Sequence, residues 1–255
     1  MNGYIEIVSG TLGGGKSMAT VEFIYNWLKR GAYAFTNIEM HHDKVCAQMW
    51  QDGFIFEPER LKLLDGKTIK GFTSQISRGT SDCPVIVAID EAHLEWNSRD
   101  YQETKKDKGS RDMLNFITMV RKLDIILYFI TQSPEDIDKQ LRKKAAYLTM
   151  CRNFKGFRIW NMIPFPFPIM TRTRWDISVG NPKPVRLEGH FFTRPKWVCE
   201  LYNSDALLGE EASKYSAMET AHGSPLARRE MPKDHVSLGQ LSFVSLCAGF
   251  VASLF

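Results

Sequence analysis

The chain has 255 residues, enough for one α/β domain with additions, and its apolar share of 44% is that of an ordinary globular protein. A net charge of only +4 gives no indication of the strongly basic surface that nucleic-acid binders carry. The five cysteines are scattered with no C-x-x-C pair, which argues against a disulfide framework or a zinc site and fits a reducing compartment.

The first predicted elements are a short buried strand at residues 4–8, a glycine-rich loop and an amphipathic helix. The apolar face of that helix consists of Met18, Val21, Ile24, Tyr25 and Leu28. The loop, "GTLGGGKS" at residues 10–17, satisfies the pattern G-x-x-x-x-G-K-[ST]. Glycine backbone N–H groups can converge on phosphate oxygens, and the start of a helix adds unpaired N–H groups and the positive end of its dipole.

We therefore predict a nucleotide phosphate site at this loop. Its residues are Gly10, Thr11, Leu12, Gly13, Gly14, Gly15, Lys16 and Ser17. Lys16 is expected to reach the β- and γ-phosphates of ATP, and the Ser17 hydroxyl to ligate Mg²⁺. The alternative is a glycine-rich strand–helix turn with a solvated lysine.

A second strand is expected at residues 33–37, and residues 42–82 contain helical pieces and polar loops without a clear pattern. Residues 85–89 form an unbroken apolar run, as in a strand buried on both faces. Asp90 and Glu91 follow at its carboxyl end, where open α/β sheets bind ligands. Asp90 is expected to hold Mg²⁺ through water, and Glu91 to orient or deprotonate the attacking water. The alternative is a solvated acidic turn.

The next segment, residues 94–111, is dense in charge and is predicted to form an exposed excursion. A helix face follows at Met113, Phe116, Ile117 and Val120. Residues 124–132 are predicted to form a buried strand that ends in Gln132. Pro134 is predicted to begin a further helix, and residues 145–151 are predicted to form the last core strand. The alternation predicts an α/β fold, a P-loop NTPase three-layer sandwich with a mainly parallel sheet.

Residues 152–205 are rich in aromatic residues, arginine and proline, and predict a small β-hairpin or two strands appended to the sheet. Within them, Arg172, Arg174 and Trp175 have two interpretations. They could stack on single-stranded DNA, or they could form the polar face of a hairpin with a core tryptophan, which we favour.

The remaining residues divide into a polar tether at 206–235, broken by two prolines, and an uncharged apolar segment at 238–255. Eighteen helical residues span about 27 Å, close to the roughly 30 Å of a bilayer core. We predict a C-terminal transmembrane helix within residues 236–255, with a buried helix of the globular domain as the alternative. Arg228, Arg229 and Lys233 precede the segment and place the ATPase core, residues 1–151, on the cytoplasmic side.

Three motifs in this order resemble the Zot (zonula occludens toxin-like) family, to which the membrane-bound assembly ATPase of filamentous phages belongs. They are "GTLGGGKS", "IDEAHLEWNSRDY" and "RKLDIILYFITQSPEDIDKQLR", and "PKWVCELYNSDA" is similar to the segment that follows the ATPase core in that family. The resemblance extends from residue 4 to about residue 206. It implies a motor ATPase of the FtsK/HerA-like group.

The resemblance also implies roles for individual residues. Gln132 is expected to sense the γ-phosphate from the strand beside Asp90; the alternative is a strand-end residue bonded to a neighbouring loop. Such motors form homo-oligomeric rings, for example hexamers, in which an arginine reaches the nucleotide of the next subunit. Arg99 and Arg121 rank first, ahead of Arg111 and Arg142.

The function implied is MgATP hydrolysis coupled to the assembly and extrusion of filamentous phage through the host inner membrane. The implied partners are the phage coat and single-stranded DNA complex, an outer-membrane channel of the same phage, and the membrane. Two alternatives remain: a soluble DNA translocase or packaging ATPase of the same superfamily, and a nucleotide-gated scaffold without turnover. The presence of Lys16, Asp90 and Glu91 counts against the scaffold.

Overall fold

The fold was analysed in a computed structural model that describes residues 3–64, 76–94, 115–154, 158–159, 163–164, 169–178 and 183–203. The strands are β1 (Tyr4–Ser9), β2 (Tyr33–Thr36), β3 (Leu61–Leu63), β4 (Val85–Ile89), β5 (Ile125–Thr131), β6 (Tyr147–Asn153), β7 (Arg158–Ile159), β8 (Ile163–Pro164), β9 (Ile169–Asp176) and β10 (Val185–Thr193). The α-helices with defined bounds are α1 (Lys16–Leu28), α2 (His42–Gln51), α3 (Lys139–Lys144) and α4 (Lys196–Glu200). Single 3₁₀ turns occur at Pro58–Arg60, Ala92–Leu94 and Pro134–Asp136.

Eight of these strands form one sheet, in the order β10-β9-β6-β1-β5-β4-β2-β3. The strands from β6 to β3 pair in parallel, whereas β9 pairs antiparallel with β6 and β10 antiparallel with β9. The pair β7–β8 is separate. The predicted mainly parallel sheet is therefore confirmed, and β9 and β10 extend it as an antiparallel hairpin.

Apolar side chains pack on both faces of this sheet, which gives the three-layer arrangement. One core contains the buried face of α1 together with Val45 and Met49 of α2 and Val198 of α4. The core on the opposite face contains Ile117, Val120 and Leu141. Every residue of β4 and of β5 is buried, because helices cover these central strands on both sides.

Helix α1 has the predicted apolar face, and all five of its predicted core residues are buried. Gly15 precedes it with φ 87°, in the left-handed region that side chains disfavour, so the turn from loop to helix needs glycine at this position. Helix α1 therefore begins at Lys16 and directs its first-turn N–H groups towards the loop.

Several predicted boundaries are wrong by a few residues or by element type. Pro134 begins a single 3₁₀ turn; the α-helix begins only at Lys139, where the Asp138 carboxylate accepts the N–H groups of Gln140 and Leu141. Strand β6 begins at Tyr147 and continues to Asn153, past the expected boundary at residue 151. Helix α2 and strand β3 lie where the sequence showed no clear pattern.

No helix within the described ranges is long and apolar enough to cross a membrane. The predicted tether and apolar segment lie outside these ranges, as do most of the charge-dense residues 94–111 and Met113. Those interpretations stay predictions.

Candidate nucleotide-binding site

The glycine loop leaves the carboxyl end of β1, between the ends of β5 and β6. Gly10 lies so close to β6 that an added Cβ would collide with the carbonyl oxygen of Cys151. Asn153, at the end of β6, donates from Nδ2 to the carbonyl of Gly13 at 3.0 Å. These contacts fix the path of the loop over the carboxyl ends of the strands, with Leu12 exposed at its tip.

Lys16 is held inside the loop. Its side chain is 6% exposed and its Nζ donates to the carbonyl oxygen of Thr11 at 3.3 Å. The N–H of Gly14 donates to the same carbonyl at 2.9 Å, which closes the turn. A buried ammonium group next to helix N–H groups makes this a site for an anion.

The two predicted Mg²⁺ ligands lie in direct contact. The Ser17 Oγ, in the first turn of α1, donates to the Asp90 Oδ2 at 2.7 Å. A hydroxyl and a carboxylate are oxygen ligands of the type that Mg²⁺ prefers, and Mg²⁺ commonly takes only one or two protein ligands together with substrate phosphates. The described residues contain no cluster of three or more His, Cys, Asp or Glu side chains arranged for a metal. Ser17 and Asp90 therefore fit an Mg²⁺ ion that is shared with a bound nucleotide.

Glu91 follows in a strained conformation, with φ 49°. Left-handed backbone at a non-glycine residue is uncommon and is concentrated at functional sites. Its N–H donates to the Asp90 Oδ1 at 2.9 Å, and its Oε2 lies 3.3 Å from the Nδ1 of His93. The Glu91 backbone therefore contacts Asp90, whereas its carboxylate contacts His93.

Gln132 lies directly after β5, the strand between β1 and β4. Its carbonyl accepts a hydrogen bond from the Ser9 Oγ at 3.1 Å, and its side chain is exposed. The predicted position beside the Asp90 strand is thus observed, since β5 pairs with β4. The role as γ-phosphate sensor stays a prediction.

Two of the four arginine candidates lie within the described residues. Arg121 is exposed in the turn before β5, at the sheet edge opposite the glycine loop. Arg142 donates to the carbonyl of Pro134 at 3.4 Å. Arg99 and Arg111 lie outside the described ranges. The role of either arginine in a neighbouring subunit stays a prediction.

Arg172 and Arg174 are used in ion pairs that join the hairpin to the core. Arg172 Nη1 lies 2.8 Å from the Oε2 of Glu22 in α1, and Arg174 Nη2 lies 2.8 Å from the Oε2 of Glu6 in β1. Trp175 is half-buried. These contacts favour the hairpin-face interpretation over stacking on DNA.

Two connections were missed by the sequence reasoning. Asn37, directly after β2, bonds both backbone polar groups of Asp90. The residues after it are tied to the end of α4: the His41 N–H donates to the Leu201 carbonyl at 2.8 Å, and the Asn203 N–H donates to the Glu39 carbonyl at 2.9 Å. One indication of the first connection is present in the sequence: Asn37 is a polar residue at the carboxyl end of a predicted strand, and the carboxyl ends of the strands carry the site.

A parallel α/β sheet with a glycine loop after its first strand, and with a serine and an acidic residue in contact beneath it, defines a protein of the P-loop NTPase type. Residues 4–206 match the family model "Zonular occludens toxin (Zot)". The chain belongs to the Zot family.

Individual relatives come from phages. The Gene 1 protein of Enterobacteria phage I2-2 is 25% identical over 162 residues, which cover 61% of this chain and 42% of that protein. The Gene 1 protein of Salmonella phage IKe has the same identity and coverage. The match spans less than half the length of these curated relatives.

Two of the solved structures that are similar to this chain come from a bacterium and a virus. The N-terminal domain of zonular occludens toxin from Neisseria meningitidis is 18% identical with a TM-score of 0.48, and the match covers 80% of this chain and 100% of that one. The genome packaging NTPase B204 of Sulfolobus turreted icosahedral virus 2, solved with AMPPCP, is 15% identical with a TM-score of 0.44, covering 74% and 99%.

Proposed function

We propose that the protein is a P-loop ATPase that uses MgATP hydrolysis to drive assembly and extrusion of filamentous phage particles through the host inner membrane. The observation that carries the enzymatic part is the 2.7 Å contact between Ser17 and Asp90. It brings the end of the glycine loop and the acidic strand end into one site, as a nucleotide-bound Mg²⁺ requires.

The residues of this chain have distinct tasks in hydrolysis. The loop N–H groups and the first turn of α1 bind the phosphates, and Lys16 adds a positive charge. Ser17 and Asp90 would hold Mg²⁺, which when bound would neutralise charge that develops on the phosphate oxygens. Glu91 accepts the proton of the attacking water, and Gln132 contacts the γ-phosphate from between the loop and the acidic residues.

The phage role is supported by membership of the Zot family and by the phage origin of the Gene 1 relatives. We assign residues 1–151 to the ATPase core, 152–205 to the appended β-region, 206–235 to a tether and 236–255 to a single membrane span. The ATPase core then faces the cytoplasm. Its partners are further copies in a ring, the coat and single-stranded DNA complex, and the outer-membrane channel.

The test is the ATPase rate of the full chain in membranes, with and without single-stranded DNA. We expect Mg²⁺-dependent turnover that single-stranded DNA stimulates, and no turnover in Lys16→Ala prepared in the same way. Nucleotide binding without turnover under all conditions would favour a scaffold. Equal, strongly DNA-stimulated activity without membranes would favour a soluble translocase.

A further inference from the structure

The Asn37 side chain forms two hydrogen bonds to the backbone of Asp90. Its Nδ2 donates to the Asp90 carbonyl at 2.9 Å, and its Oδ1 accepts the Asp90 N–H at 2.7 Å. Asn37 is 2% exposed, so water does not compete for these bonds. The pairing of β2 with β4 ends at Thr36 and Ala88, and the Asn37 amide extends the connection to the residue that carries the carboxylate.

These bonds fix the peptide that joins Asp90 to Glu91. Asn37 holds the carbonyl side of that peptide, and the Asp90 carboxylate accepts its N–H at 2.9 Å. The orientation of this peptide determines where the strained Glu91 backbone, at φ 49°, directs its side chain. The same arrangement leaves Asp90 Oδ2 directed at Ser17.

Asn37 is itself held from the other side. After it, the chain forms a bridge between Met40 and Tyr202, in addition to the backbone bonds of residues 39 and 41 with the end of α4. The position of Asn37 therefore does not depend on a bound nucleotide.

We propose that Asn37 is a positioning residue of the ATPase site. It sets Asp90 for Mg²⁺ and Glu91 for the reacting water without touching the nucleotide. This inference rests on the proposed function. Removal of a residue that orients a metal ligand by hydrogen bonding, without contacting the metal, commonly lowers metal affinity by about 10–100-fold.

A role in folding alone predicts a different outcome, and Thr36 provides the matched control. Thr36 is 1% exposed, adjoins Asn37, and its Oγ1 accepts the Ile38 N–H at 3.1 Å. Thr36→Val therefore removes a buried hydrogen bond at the same strand end while leaving Asp90 in place. If Asn37 acts only on stability, the two variants should behave alike.

The experiment is calorimetric binding of ATPγS to the full chain, once with Mg²⁺ and once with EDTA, together with thermal unfolding. For Asn37→Ala we expect affinity in EDTA within about twofold of wild type and an Mg²⁺-dependent gain reduced about 10–100-fold. Thr36→Val should show the same Mg²⁺-dependent increase in ATPγS affinity as wild type, even if its unfolding temperature is lower. Asn37→Asp keeps the shape and still accepts the Asp90 N–H, but it cannot donate to the carbonyl, so its Mg²⁺-dependent gain should also fall.

Two results would overturn the inference. One is a wild-type increase in ATPγS affinity with Mg²⁺ in both Asn37 variants. The other is an equal reduction of that increase in Thr36→Val. Failure of both Asn37 variants to fold would assign the residue to stability alone and would overturn it as well. If wild type binds no ATPγS in either condition, the proposed function fails first and the inference with it.

Discussion

Ser17 and Asp90 are 73 positions apart in the chain, yet the Ser17 hydroxyl donates to the Asp90 carboxylate at 2.7 Å. β5 lies between β1 and β4, and the three strands are parallel, so the glycine loop after β1 and Asp90 after β4 lie at the same end of the sheet. The two halves of the candidate site therefore meet in one place.

Glu91→Gln should leave nucleotide affinity near that of wild type and lower turnover by roughly 10²-fold or more, because it removes the base and keeps the phosphate loop. Steady-state ATPase rates and ATPγS affinity measure the two effects. Glu200→Gln, on the exposed surface of α4, is the control and should match wild type. If ATPγS affinity collapses in Glu91→Gln, the residue is a metal ligand or a structural residue.

The ion pair between Glu6 and Arg174 should be more sensitive to loss of the arginine than to loss of the carboxylate. Glu6 is buried and also accepts a hydrogen bond from Thr149 at 2.6 Å, so Glu6→Gln keeps a polar group that can be satisfied. Arg174→Met leaves a buried carboxylate without its cation and should lower the free energy of unfolding by about 3–5 kcal/mol. Urea unfolding measures both variants; an equal effect of the two would contradict this account.

The same pair predicts a pH dependence of stability. Burial raises the pKa of Glu6 above its ordinary value of 4.5, while Arg174 and Thr149 act in the opposite direction. Between the ordinary and the raised pKa, the unfolded chain has released the proton that the folded protein still holds. The contribution of Glu6 to stability should therefore fall as pH rises through that window. Glu6→Gln should lack this decrease in the free energy of unfolding with rising pH, and in Arg174→Met the decrease should continue to higher pH. An unchanged decrease in Glu6→Gln would contradict the assignment.

The site was predictable where local pattern determines structure. The glycine loop, the apolar face of α1 and the fully buried β4 and β5 each carry a strong short-range signal. Helix α2 could not be located within the helical pieces expected at residues 42–82, because it buries only Val45 and Met49, too few apolar positions for a clear period. The contacts of Asn37 with Asp90 depend on the strand order, which no local pattern specifies.

The arginine hypothesis predicts complementation between subunits. Arg99→Ala or Arg121→Ala should bind ATP nearly normally and hydrolyse it poorly. Mixing either variant with Lys16→Ala should restore part of the activity, because mixed interfaces combine an intact nucleotide site with an intact arginine. ATPase rates over a range of mixing ratios measure this. Absence of recovery, with mixed rings shown to form, would argue against a trans-acting arginine at that position.

Removal of residues 238–255 should transfer the protein from the membrane to the cytosol while nucleotide binding persists. The eight-stranded sheet lies wholly before residue 194, so the truncated chain retains every strand of the site. Ring assembly should weaken, because a membrane raises the effective concentration of subunits. Cell fractionation and ATPγS binding measure the outcome. An unfolded truncated chain without nucleotide binding would mean that the segment belongs to the globular core.

The most direct measurement is equilibrium binding and turnover of MgATP by wild type, Lys16→Ala and Lys29→Ala in parallel. Lys16 is buried in the glycine loop, whereas Lys29, at the other end of α1, forms a solvent-accessible ion pair with Asp52. We predict that Lys16→Ala loses about 2–3 kcal/mol or more of binding free energy and all turnover, because a charge-assisted phosphate contact is removed. Lys29→Ala should bind and hydrolyse MgATP as wild type does. Unchanged binding and hydrolysis in Lys16→Ala would contradict the assignment of the glycine loop as the nucleotide site.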